Sequence, residues 1–66
     1  IGKQELHRLK LMIMDLPPRV RATFILHRFE GLKYKEISET LKISVSAVEK
    51  NMMTAIARLS KEFDRK

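Results

Sequence analysis

The stretch YKEISETLKISVSAVEKNMMTAIARL, Tyr34 to Leu59, decides the fold. Its first part places Ile37 and Leu41 four residues apart, on one face of a short helix. Its second part places Val48, Met52, Ala55 and Leu59 on one face of a longer helix. Between them stands a three-residue hinge, Lys42-Ile43-Ser44, in which Ile43 plugs the angle between the two helices. Ser44 is the expected N-cap of the longer helix. Ser46 with Glu49, at capping-box spacing, is a competing cap two residues on.

Upstream, Leu6, Leu9, Ile13 and Leu16 form an apolar stripe with Met12 beside it, so a helix is expected over about residues 3–14. Asp15-Leu16-Pro17-Pro18 ends it, because the residue before each proline is driven out of the helical region. Pro18 suits the first turn of the next helix, where a missing N–H costs nothing. That second helix is expected over about 18–30. Val20, Ala22, Phe24, Ile25, Leu26 and Phe29 cover more than one of its faces, which makes it the central helix. Gly31 is suited to end it in the left-handed conformation, with Leu32 folding back in a Schellman-type contact. The third and fourth helices follow at about 34–41 and 45–63, and Asp64-Arg65-Lys66 are expected to fray. The expectation is an all-α, four-helix domain with a C-terminal helix-turn-helix and no winged elements. Residues 1–66 read as one domain, and the absent start Met suggests a piece of a longer protein.

Composition narrows the chemistry. The chain has 66 residues, with 14 Lys+Arg against 8 Asp+Glu and a net charge of +6. Such a surface favours anionic partners, nucleic acid or acidic headgroups. No cysteine is present, which excludes disulfides and thiolate sites and favours a cytoplasmic setting. The longest apolar runs are far too short to span a bilayer, and the tightly spaced turns argue against a basic amphipathic membrane-surface segment, so no membrane partner is expected. His7 and His27 are isolated, so neither metal nor cofactor is expected. No phosphate loop or catalytic triad is recognisable, and the chain reads as a non-enzyme.

A helix-turn-helix puts its second helix into the DNA major groove, burying the back and offering the front. With Val48, Met52, Ala55 and Leu59 inward, the outward arc holds Ser46, Ala47, Glu49, Lys50, Met53 and Thr54. Lys50 is suited to guanine O6 or N7, Glu49 to cytosine N4, and Ala47, Met53 and the Thr54 methyl to a thymine methyl. Ser46 serves a base or a phosphate, and Asn51 lies to the side. Phosphate contacts are expected from Lys33, Tyr34 and Lys35 at the start of the third helix, from Arg28, with His27 beside it, and from Ser44, Arg58 and Lys61.

Leu16-Pro17-Pro18, Arg21, Phe24, Glu30-Gly31, Tyr34-Lys35-Glu36-Ile37, Leu41, Ile43-Ser44, Val48 and Leu59 stand in an order and spacing that resembles the C-terminal domain four of bacterial sigma factors, most like the extracytoplasmic-function type. The resemblance covers Leu16 to Leu59 directly. It implies binding of double-stranded promoter DNA at the −35 element, docking on the β flap of RNA polymerase core, and control by an anti-sigma factor. Some positions depart from the family. Lys42 stands where the turn usually has Gly, at a cost of ~1 kcal/mol if its φ is positive. Lys33 replaces a Ser cap, Ser38 replaces Ala, His27 replaces Arg, and Glu49, Asn51 and Thr54 fill positions that are often basic. Two other readings stand beside this one. The LuxR-type output domain shares Lys35-Glu36-Ile37 and Val48-Glu49-Lys50 but usually opens on Leu-Thr-x-Arg-Glu. A module used mainly for docking on polymerase or an anti-sigma factor is the other.

Overall fold

The structure, a computed structural model, describes residues 3–63; the fraying expected of Asp64-Arg65-Lys66 lies outside the described residues. Four helices follow one another: α1 (Lys3–Met14), α2 (Pro18–Arg28), α3 (Tyr34–Leu41) and α4 (Val45–Phe63). The described residues contain no strand. α2 packs on α4, α3 packs on α4, and α2 touches α3, so these three helices form a tripod. Its main apolar cluster joins Ile13, Leu16, Val20, Phe24, Met52, Ala55 and Leu59, with Leu9, Met12, Ile25 and Tyr34 packed around it. Ile37 on α3 and Val48 on α4 are fully buried as well. Burying each such side chain is worth about 1.5–3 kcal/mol, and this set is what a chain of this size can muster.

α1 is held to the tripod through Ile13, Leu9 and Met12. Leu6, expected in its inner stripe, is 46% exposed: the periodicity orients the residue but does not by itself supply a packing partner. The corner after α1 is closed by Arg21, whose guanidinium donates to the Met14 carbonyl at 3.0 Å. That carbonyl belongs to the last turn of α1, where no helical amide follows to satisfy it. Pro17 and Pro18 then start α2 without a side-chain cap.

α2 ends at Arg28, two residues before the expected Glu30. The Glu30 amide turns to the Ile25 carbonyl, 3.2 Å away and five residues back, which breaks the regular i→i−4 ladder. Gly31 follows at φ 74°, and the Leu32 amide returns to the Leu26 carbonyl at 3.0 Å. The fold-back of Leu32 is therefore present, but over a wider loop than the Schellman pattern. Phe29, expected among the packed residues of α2, sits past the helix end and is 62% exposed, with its ring edge-on to Phe24.

The turn between α3 and α4 is tight because Lys42 adopts the left-handed conformation, φ 58° and ψ 46°. The amides of Lys42 and Ile43 both bond back to the Ser38 carbonyl. Ser38 itself is buried, and its hydroxyl donates to the Lys35 carbonyl at 2.7 Å. Ser44 then caps α4: its Oγ accepts from the Ala47 amide at 3.1 Å. The alternative cap at Ser46 is set aside, since Ser46 already lies inside the helix.

Candidate nucleic-acid interface

The candidate reading surface is the N-terminal half of α4. Val48 and Met52 anchor its back, with Ala55 one turn further on. Ser46, Glu49, Lys50 and Met53 are exposed on its front, Met53 at 72%. Among the described residues neither Glu49 nor Lys50 is engaged in an ion pair, so the lysine ammonium is not drawn away by its neighbour. Ala47 and Thr54 are only half-buried and not part of the fully open face. At ~100° per residue they share one side of the helix with Asn51. That side faces α2, because the Asn51 amide bonds to Thr23 there. Thr54 also spends its hydroxyl proton on the Lys50 carbonyl at 3.0 Å, which leaves its methyl and an oxygen lone pair for a partner.

The expected phosphate group divides in two. Arg28, Lys33 and Lys35 are exposed at the α2–α3 corner, and Ser44 is exposed at the start of α4. Tyr34 belongs to the same corner but is half-buried, packed against the core cluster and edge-on to the His27 ring at 5.1 Å. His27 is also held by its Nδ1, 3.0 Å from the Leu32 carbonyl. The pair clasps α2 to α3, a structural duty the sequence reading did not assign to either.

The start of α3 is not an empty anion site. Glu36 places its carboxylate on the Lys33 amide at 2.7 Å. This is half of a capping box; the other half is missing because a lysine ammonium cannot accept a hydrogen bond. A carboxylate in the first turn already complements the helix dipole, so a phosphate gains less there. Arg58 stands apart from the corner residues. It lies ~20 Å along α4 from Ser44 at 1.5 Å per residue. There, with Arg8, Leu11, Met12, Asp15, Leu16, Leu59 and Lys61, it lines a cleft between α1 and the end of α4. The Arg58 anchor is thus not brought together with the other phosphate candidates.

The described residues hold no cluster of His, Cys, Asp or Glu fit for a metal ion, and no helix is long and apolar enough to cross a membrane.

A tripod whose last helix is capped by the turn residue and exposes its N-terminal half defines a helix-turn-helix module of the DNA-binding kind. The chain belongs to the sigma-70 region 4 family, whose model matches residues 6–59. Domains of this family are generally involved in binding promoter DNA at the −35 element and work with RNA polymerase. The match favours this family over the LuxR-type output domain. It also includes most of α1, whose sequence by itself is generic. No curated protein and no solved structure matches the chain significantly.

Proposed function

We propose that this chain is the −35-reading module of an extracytoplasmic-function-type sigma factor. It directs transcription initiation in the cytoplasm by binding, without catalysis of its own. It docks on the β flap of RNA polymerase core and is subject to an anti-sigma factor. The observation that carries the reading is the exposed front of α4, with Ser46, Glu49, Lys50 and Met53 standing clear of a back that is fully packed. Ser46, Glu49 and Lys50 supply a donor or an acceptor for base edges, and Met53 an apolar surface for a thymine methyl. Lys35, Lys33 and Arg28, exposed at the α2–α3 corner, supply charge for the backbone.

The test is selection of bound duplexes from a random library at low ionic strength, followed by affinity measurements on the selected and on random DNA. Lys50→Ala is expected to cost roughly 1–3 kcal/mol on the selected site and much less on random DNA. Lys35→Ala is expected to weaken both alike and to make the log–log salt slope shallower by ~1. If the Lys50 and Glu49 variants retain the parent's sequence preference, α4 is not reading bases through these residues. Docking on polymerase or on an anti-sigma factor would then be the main role of the domain.

A further inference from the structure

Thr23 has no exposed surface, yet it is polar. It sits on α2, on the side turned to α4. Its hydroxyl carries one proton, which it donates to the Arg19 carbonyl one turn back, at 2.8 Å. The oxygen can then only accept. What it accepts is an N–H of the Asn51 side chain on α4, at 3.1 Å and across 28 residues of sequence. The donation to Arg19 therefore dictates which end of the Asn51 amide faces inward, and it aims the hydroxyl lone pairs at α4.

We propose that Asn51 is a positioning residue: the chain Arg19 carbonyl–Thr23–Asn51 sets the roll of α4 against α2, and so decides which side chains α4 presents to DNA. This rests on α4 being the reading helix. Val48, Met52, Ala55 and Leu59 fix which face of α4 turns inward, but the contacts of Met52 and Ala55 at the level of Asn51 set its fine roll less sharply. Met52 is flexible and adapts to its surroundings, Ala55 is small, and hydrophobic contact is non-directional. A hydrogen bond between two helices is directional and selects one orientation. The sensitivity is high. With side chains ending ~6 Å from the axis, a roll of ~20° moves their tips by ~2 Å, more than a base-edge hydrogen bond tolerates. Asn51 follows Lys50 directly and lies one turn from Ala47 and Thr54, so a roll about this point displaces the whole reading face.

The test uses Thr23→Val, which keeps the shape and removes the hydroxyl, Thr23→Ser, which keeps the hydroxyl, and Asn51→Leu, which removes the donor at a half-buried position. Each is measured for affinity on the selected duplex and on random DNA. Thr23→Val and Asn51→Leu are expected to lose roughly three- to tenfold in the ratio of the two affinities, the factor one hydrogen bond can hold in a two-orientation equilibrium. Random-DNA affinity stays at the parent's value, Thr23→Ser retains the ratio, and the double variant is no worse than either single one. Should Thr23→Val fail to fold, Asn51→Leu alone reads the same ratio. Variants that melt earlier but keep the full ratio would overturn the proposal and leave the bond a merely structural one. A parent that prefers no duplex sequence would refute the reading role of α4 instead. Residual dipolar couplings on the parent and on Asn51→Leu then decide the positioning claim: a changed α2–α4 orientation supports it, and an unchanged one overturns it.

Discussion

Lys42 is the one residue other than glycine with a positive φ among the described residues, and replacing it by glycine should make the domain more stable. At φ 58° and ψ 46° its Cβ crowds the following carbonyl, a conformation that costs an L-residue roughly 1–2 kcal/mol. Glycine escapes that cost. It also gives the unfolded chain more freedom, which takes back about 0.4–1 kcal/mol. The side chain itself contributes little, since Lys42 is exposed. Lys42→Gly is therefore expected to stabilise by about 0.5–1 kcal/mol, or ~3–6 °C in Tm for a domain of this size. Urea titration and thermal melts followed by far-ultraviolet circular dichroism would measure it. Lys42→Ala separates backbone from charge. Alanine suffers the same left-handed penalty, so this variant should stay close to the parent, whereas relief of repulsion in a chain of net charge +6 would stabilise both variants. Equal gains for Ala and Gly would refute the backbone argument, and a loss on Lys42→Gly would mean the turn is not left-handed.

Gly31→Ala should have the opposite sign: at φ 74° a Cβ would meet nothing within 4 Å, so the whole cost is backbone strain, about 1 kcal/mol by urea titration. Ser44→Ala should cost ~1 kcal/mol through the lost bond to the Ala47 amide, while Ser46→Ala should be nearly neutral; equal losses would relocate the start of α4. Val48→Asp would place a carboxylate where no surface is exposed and should unfold most of the domain, which a parent-like melt would contradict.

The helices were legible because local rules act on neighbouring residues. The period of Val48, Met52, Ala55 and Leu59 orients α4, and all four are buried. Pro17-Pro18 and Gly31 mark corners through their own backbone restrictions. What the sequence did not disclose depends on partners far along the chain. Periodicity says which way Leu6 and Phe29 point, but not how much of each is covered: they are 46% and 62% exposed. The Thr23–Asn51 bond had no local signal at all, since a threonine inside an apolar helix and an asparagine on a polar flank give no hint of pairing. The front of α4 followed from its back by geometry, so Ser46, Glu49, Lys50 and Met53 are as open as expected. Ala47 and Thr54 are less so, because the direction of α2's approach is a tertiary fact.

The placement of charge bears on how such a module would divide its work. On the open front of α4, Glu49 and Lys50 cancel, so the net charge of +6 resides elsewhere. Part of it lies at the α2–α3 corner, where the exposed cations Arg28, Lys33 and Lys35 stand with the acids Glu30 and Glu36. Another part lines the cleft at the far end of α4, where Arg8, Arg58 and Lys61 stand with Asp15 among the described residues. Affinity for a phosphate backbone scales with the cations that displace counterions, whereas discrimination among bases comes from the few groups at the base edges. On the proposed reading those two sets of residues are different, and the neutral front would add almost nothing to the salt-dependent part. Raising the ionic strength should then weaken binding to all duplexes together while leaving the preference among them nearly constant. The roll of α4 enters only the second quantity, since a shift of ~2 Å barely changes the distance-tolerant attraction of flexible lysines for phosphates but removes a base-edge hydrogen bond. A selective loss at constant random-DNA affinity is for that reason the signature that separates a positioning fault in this domain from a loss of charge.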